Sequence, residues 1–302
     1  MIKSSIKVRK KVIFFTLLLV GISSFVGAQK YENPYVQQTF KDTRAVNTQS
    51  VETLPAWKLD IRIGHRFGDI SGQTGGWQTF YGLEGAADVV TGAEFGWTDN
   101  FMFGLLRSKG SSAQGLRQNL NFTTKYRLVR QRKDDKMPIS ATLAGLATFS
   151  TMAKSTNSST IASFPSFYHR LSYNAQLIVA RKFSNRLSLQ INPTFTYRNL
   201  VLADDENAII SLGMAARYQL TKVMGVLFDA NYPFSSLRME NGSGYTPAIG
   251  LGLEWDTGGH VFQLDFTNAT GIMETDFIPY TTTDWLKGQF RIGFTIRRLF
   301  NL

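Results

Sequence analysis

Cysteine is absent from this chain. That excludes a disulfide framework, a thiolate metal site and a lipid anchor on an N-terminal cysteine. Histidine is nearly absent, at 3 residues, so a histidine-dependent metal or hydrolytic site would have to draw on His65, His169 or His260. No HExxH stretch and no EF-hand loop occurs. The glycines Gly72, Gly75 and Gly76 lack the lysine and the strand-to-helix setting of a phosphate-binding loop. We read no cofactor and no metal. Beyond the N-terminus no apolar run approaches the roughly 20 residues of a membrane-spanning helix. Basic runs interleaved with aromatics are also missing, which leaves out nucleic acid as a partner.

The N-terminus carries the one sustained apolar run. Lys3, Lys7, Arg9, Lys10 and Lys11 precede an apolar core from Val12 to Val20, and Val26, Gly27 and Ala28 form a cleavage site. Residues 1–28 therefore read as a secretory signal peptide, with the mature chain starting at Gln29. The core is too short to stay as a membrane anchor. Without the five basic residues of this segment the net charge falls from +11 to +6. That excess is modest and spread along the chain.

What the chain does have is alternation. From Leu187 to Arg198, the residues Leu187, Leu189, Ile191, Pro193, Phe195 and Tyr197 share one parity, and Ser188, Gln190, Asn192, Thr194, Thr196 and Arg198 the other. A strand sends successive side chains to opposite faces, so this stretch has one oily and one wet side. About a dozen residues is long for a soluble strand and right for a tilted strand crossing a bilayer. Similar alternation covers Trp57–Ile63, Val89–Trp97, Phe101–Arg107, Leu120–Leu128, Ile139–Thr151, Leu171–Val179, Ile210–Tyr218, Met224–Tyr232, Pro247–Trp255, Phe262–Phe266 and Leu286–Phe300. The Ile139–Thr151 stretch is weaker, because its inner face is small rather than polar. Pro193 cannot donate to a ladder, and a local bulge is expected there.

The links between these stretches alternate in length. Short ones fall at Thr98–Asn100, Ser184–Asn185, Thr221–Lys222 and Asp256–His260, with Gln131–Met137 intermediate; long ones fall between them. Short periplasmic turns, long outer loops and an even strand count are the rule for outer-membrane barrels. The expected fold is thus all-β, a transmembrane antiparallel up-and-down barrel of about twelve strands, with ten or fourteen as alternatives. A soluble β-sandwich would show the same alternation with shorter strands and more charge on its polar faces. Aromatics make up 13% of the chain, and Trp57, Trp97, Tyr126, Tyr218, Tyr232, Trp255 and Trp285 fall where an interfacial girdle would lie. Residues 57–302 are expected to form the barrel. Residues 29–56, polar and irregular with weak helical potential from Gln37 to Arg44, are expected as a periplasmic N-terminal segment, with folding into the barrel mouth as an option.

Stretches such as "GHRFGD", "GWQTFYGLE", "GAEFGWTDNFMFGL", "TTKYRLVRQ" and "LRMENGSGYTPAIGLGLEW" resemble a family of outer-membrane β-barrel proteins of unknown function found mainly in the Bacteroidetes group. The resemblance runs from about Thr39 onward. It implies an outer-membrane barrel and supplies no activity, substrate or catalytic residue.

Function has to be sought on the wet face. By parity, Arg62, Glu94, Lys125, Arg198, Arg217, Glu254 and Arg291 are candidate lumen-lining residues. A cationic lining in a water-filled bore raises the local concentration of anions. The expected function is a narrow pore or binding lumen for small polar or anionic solutes in the bacterial outer membrane, with membrane lipid as its other partner. The alternative is a structural or partner-scaffolding barrel with a closed, salt-bridged lumen, since eight-stranded barrels are filled by side chains and open channels come at about sixteen strands. A membrane-embedded lipid hydrolase is the distant third. His65 shares the outer parity of Ile61 and Ile63, while His169 and Ser172 point to opposite faces, so no nucleophile–base pair forms and no enzyme is expected. Asp204, Asp205 and Glu206 are expected as a solvated cluster in an outer loop. The glycine-rich first outer loop, rich in Trp77, Phe80 and Tyr81, is expected to fold over the barrel mouth.

Overall fold

The computed structural model describes residues 33–72, 74–110 and 115–302. The expected signal peptide at residues 1–28 lies outside them. Among the described residues twelve strands form: β1 (Lys58–Asp69), β2 (Ala86–Gly96), β3 (Phe101–Gly110), β4 (Gln118–Val129), β5 (Ser140–Ser150), β6 (Leu171–Lys182), β7 (Leu187–Arg198), β8 (Ala208–Gln219), β9 (Met224–Phe234), β10 (Ala248–Asp256), β11 (His260–Thr267) and β12 (Arg291–Asn301). Each pairs antiparallel with its sequence neighbours, and β12 closes on β1. The sandwich alternative is thereby removed, because no sheet edge is left open.

The alternation becomes inside and outside. On β7 every polar residue from Ser188 to Arg198 is buried, while Leu189, Ile191, Phe195 and Tyr197 are exposed. The outer wall repeats this with Ile61, Ile63, Leu105, Phe122, Leu143 and Ile210. In a bilayer such strands satisfy every backbone group laterally and present apolar side chains to lipid. No helix among the described residues is long and apolar enough to cross a membrane; the crossing is made by strands.

The four short links and the intermediate β4–β5 link gather at one rim, and the other six links, most of them longer, at the other. The short-turn rim carries exposed Trp57, Trp97, Tyr126 and Tyr218, with Trp57, Phe95 and Trp97 in mutual ring contact at 5.9–6.3 Å. Trp285 is half-buried beside the long-loop rim. It stacks on Phe290 at 4.5 Å and donates from Nε1 to the Ile249 carbonyl.

Three local expectations are corrected. The last strand begins at Arg291 rather than Leu286, because Trp285–Lys287 is a 3-10 turn capped by Asp284 and ended by Gly288 at φ 69°. Pro193 produces no bulge. The β6–β7 register stays constant from Ser172↔Arg198 to Lys182↔Ser188, and the paired positions merely skip Leu177 and Ile178 opposite Pro193 and Asn192. The helical potential at Gln37–Arg44 is overridden, since residues 39–43 run as bends and Arg44 forms an isolated bridge with Gln49.

Candidate functional site

The bore is filled by two segments that are not part of the wall. The first is residues 39–54. All of them are buried except the half-buried Lys41 and Glu52, so this part of the N-terminal segment runs into the barrel. It is a hairpin. Arg44 bridges Gln49, and Ala45 N–H donates to the Thr48 carbonyl at 2.8 Å, turning the chain at residues 45–48. Both ends of the hairpin return to the short-turn rim, where Val36 N–H bonds the Gln131 carbonyl and Trp57 N–H bonds the Gly96 carbonyl.

The second insert descends from the long-loop rim. It is the last long loop, residues 268–290, and it carries helix α2 (Glu274–Tyr280); a shorter helix, α1 (Ser236–Met239), lies in the preceding long loop. Residues 271–279 are buried, and α2 lies against β6, β7 and β9. The loop that enters the bore is thus the last one. Trp77, Phe80 and Tyr81 of the first are exposed.

Both inserts dock on apolar residues that break the wet parity of the inner wall. Phe40, Ala45, Val46 and Val51 pack with Ala144, Ile178, Ala180, Ala215 and Leu227. Ile272 and Met273 pack with Val90, Leu106 and Leu146, and Phe277 and Ile278 with Ile209 and Ala248. In a water-filled bore these inward side chains would stay hydrated at a cost; here they are removed from water, which is favourable at about 25 cal/mol per Å². Gly250 makes the approach possible. A Cβ there would lie 2.6 Å from Val46 Cγ1 and 2.7 Å from Asn47 Nδ2.

The polar wall grips the hairpin backbone. Asp229 accepts from Asn47 N–H, Asn47 Nδ2 at 2.7 Å, Thr48 N–H at 2.8 Å and Thr48 Oγ1 at 3.3 Å. Lys125 donates to the carbonyls of Thr43, Ser50 and Glu52. Gln190 and Asn192 both donate to the Gln49 carbonyl, at 2.8 and 2.9 Å, and Thr142 donates to that of Val51 at 2.7 Å. A buried backbone without such partners would be destabilising, so this set is what lets a polar segment lie inside the barrel.

The sequence candidates divide into groups. Arg62, Glu94 and Lys125 converge on the hairpin. Arg62 bonds both carboxylate oxygens of Asp42, and Glu94 accepts from Thr43 Oγ1 and Thr123 Oγ1 at 3.1 Å each. Arg62 also faces Arg297 directly across the β1–β12 seam, and Arg297 lies 3.5 Å from Asp42 and 3.6 Å from Asp60. Arg217 and Glu254 pair with each other elsewhere on the wall. Arg198 and Arg291 serve the long-loop end: Arg291 bonds Asp69 at 2.7 Å, and Arg198 bonds Asp205 at 2.8 and 3.0 Å. Every one of the seven is buried, and they do not form a single ring.

Asp205 corrects another expectation. Rather than lying in a solvated cluster, it takes two bonds from Arg198 and two from Arg238 of α1. Burial alone would raise its carboxyl, but the Arg238 and Arg198 hydrogen bonds outweigh that and hold it at about 2. Glu206 caps Ser236 N–H at 2.9 Å. His65 stacks on Phe294 at 5.6 Å, and His169 Nδ1 accepts from Ser166 N–H at 3.0 Å.

Two side chains join the inserts to each other. Arg44 of the hairpin bonds Glu274 of α2 at 2.7 Å and the Ile272 carbonyl at 3.3 Å. Arg66 of the wall bonds Asn47 Oδ1 at 2.7 Å on one side and the Gly271 carbonyl on the other. None of Asp42, Arg44, Asn47 or Glu274 stood out in the sequence. The available signal was the set of inward apolar residues, such as Val90, Leu106, Ile178 and Leu227, which a hydrated bore does not need.

A closed twelve-stranded antiparallel barrel, apolar outside and polar inside, is a membrane β-barrel. The chain belongs to the family described as membrane bound beta barrel domain (DUF5777), whose model matches residues 40–300 and so takes in the hairpin as well as the wall. Among solved structures it is similar to the KdgM porin, at 9% identity and a TM-score of 0.47 over 80% of this chain and 98% of that one. It is also similar to the outer membrane protein Omp33 of Acinetobacter baumannii, at 8% identity and a TM-score of 0.40 over 81% and 98%. No curated protein matches the chain in sequence.

Proposed function

We propose that the protein lies in the bacterial outer membrane, in the Bacteroidetes lineage its sequence suggests, and gives small polar or anionic solutes a gated path through its bore. In this reading residues 1–28 are removed on export, residues 29–56 approach from the periplasm, and 57–302 form the barrel. The observation that carries it is the pairing of Asp42 with Arg62 and Arg297. Two cations sit opposite each other on the wall, and a main neutralising carboxylate comes from the hairpin rather than from the wall. Withdrawing the hairpin removes Asp42 and exposes adjacent guanidinium groups to water, with Asp60 at 3.5 and 3.6 Å and Glu94 at 4.0 Å left on the wall as their partial counter-charge, and the freed donors can take an anion. Both ends of the hairpin leave by one rim, so it can withdraw without threading. A role without catalysis is supported by the two histidine contacts described above.

The closed lumen also favours a second reading, a permanently shut scaffold barrel. Planar-bilayer recording separates the two. Openings from the reconstituted protein should prefer Cl⁻ to K⁺, and Arg62→Ala with Arg297→Ala should bring that preference towards unity. A correctly folded protein that never conducts, even with its hairpin released, leaves only the scaffold.

A further inference from the structure

The outer wall has a feature that a lipid-facing surface does not require. On the β6–β9 side an apolar groove of about 440 Å³ is cut into it. Val179, Leu189, Ile191, Met214 and Phe228 form its sides, and the small side chain of Ala216 leaves the space between them. The groove runs to Phe183 at the short-turn rim, and there it meets Arg181.

Arg181 is outward-facing, on the lipid side of β6. Its guanidinium lies over the Phe183 ring at 5.5 Å and bonds Asp135 of the β4–β5 turn at 3.0 Å. Its Nε–H is buried without a hydrogen-bond partner among the described residues, although buried donors are normally satisfied. Around it the short turns are basic: Lys133 and Lys136 share the turn of Asp135, Arg186 follows β6, and Lys222 follows β8, all of them exposed. The acids in these three turns are Asp134, held by Arg132 at 2.7 Å, and Asp135 itself. Cations therefore remain in excess where the groove reaches the membrane surface.

We propose that this groove and its basic end bind one anionic phospholipid of the surrounding membrane. An acyl chain fills the groove, whose lining otherwise lacks contact atoms on one side. The phosphate accepts from the exposed part of the Arg181 guanidinium, because a guanidinium gives strong charge-assisted hydrogen bonds to phosphate oxygens. Arg186, Lys136 and Lys222 favour a headgroup with net negative charge over a zwitterionic one, as basic clusters at a membrane surface do. The groove's apolar side chains Leu189, Ile191, Met214 and Phe228 are exposed on the outer face, away from the bore.

The test is native mass spectrometry of the full-length protein released from micelles holding equal phosphatidylglycerol and phosphatidylcholine of matched chains. Barrel integrity of each variant is checked by heat-dependent migration on gels. The intact protein should retain one phosphatidylglycerol about tenfold over phosphatidylcholine. Arg181→Gln with Arg186→Gln should bring that ratio close to one, and Ala216→Phe should lower retention of both lipids by filling the groove. If the double variant does not fold, Lys136→Gln with Lys222→Gln should still reduce the ratio part way. Equal retention of the two lipids by the unaltered protein, an unchanged ratio in the charge variants, or undiminished binding in Ala216→Phe would each overturn the proposal.

Discussion

Asp229→Ala should open the barrel. The Asp229 carboxylate is fully buried and holds the hairpin tip through four hydrogen bonds, to Asn47 and Thr48. Each hydrogen bond to a charged acceptor contributes about 1.5–3 kcal/mol, but the gross sum overstates the effect, because the variant also removes the cost of burying the carboxylate. Leaving the buried donors of Asn47 and Thr48 without their acceptor costs about 1–3 kcal/mol for each of the two residues, roughly 2–6 kcal/mol together. At about 1.4 kcal/mol per tenfold change, the population with the hairpin withdrawn should rise by roughly one and a half to four decades. The wall itself should survive, since the β8–β9 and β9–β10 ladders at Asp229 are made by backbone. Single-channel recording in planar bilayers reads the open probability, and hydrogen exchange of the residue 43–50 amides reads hairpin release independently. Asp229→Asn, which keeps one acceptor, should fall between wild type and alanine. If the alanine variant migrates as a folded barrel, yet its open probability and its hairpin exchange stay within tenfold of wild type, the gate is not held as described.

The same gate can be locked. A Cβ at Gly252 would lie 2.9 Å from Val46 Cγ2, close to the spacing a disulfide needs, and the chain has no other cysteine. Val46→Cys with Gly252→Cys should therefore stay shut when oxidised and regain openings with reductant; equal conductance in both states would show that the hairpin does not block the path. A pH dependence should appear at the other insert. Burial, reinforced by the nearby Asp88 carboxylate, pushes Asp276 of α2 up to about 8 from an ordinary 3.8. A group whose folded pKa is raised stabilises the folded loop fully below about pH 4, and that contribution is lost as the pH rises towards 8. Exchange of the residue 268–283 amides, corrected for its intrinsic pH dependence, should accelerate between pH 5 and 9 in the native protein and not in Asp276→Asn. An identical profile in both would remove Asp276 from the account.

Much of the wall was legible residue by residue. Ser188 to Arg198 could be assigned to the inside because a strand alternates with period two, whatever surrounds it, and the short turn at Ser184 and Asn185 needs only local chemistry. Arg62, Glu94, Lys125 and Arg217 followed from the same parity. The soft spots were also informative. The inner face of β5, with Ala144 and Leu146 in place of polar residues, looked like a weak strand and is a docking surface for both inserts.

Residues 39–54 resisted because nothing local distinguishes a polar segment bound for solvent from one bound for a polar cavity. Their fate depends on partners that chain closure alone supplies: Asn47 meets Asp229 from 182 positions away, and Arg44 meets Glu274 from 230. The sequence by itself thus determined a membrane barrel with two unlike rims and a wet and an oily side, and it placed the strand count near twelve with ten and fourteen open, since each depends on near-neighbour periodicity. Only the tertiary structure decided that the charges of the wet side are occupied. Whether Arg62 lines a path or holds a plug depends on where the Asp42 carboxylate is placed, and that is settled by the closing of the barrel around its own N-terminal hairpin.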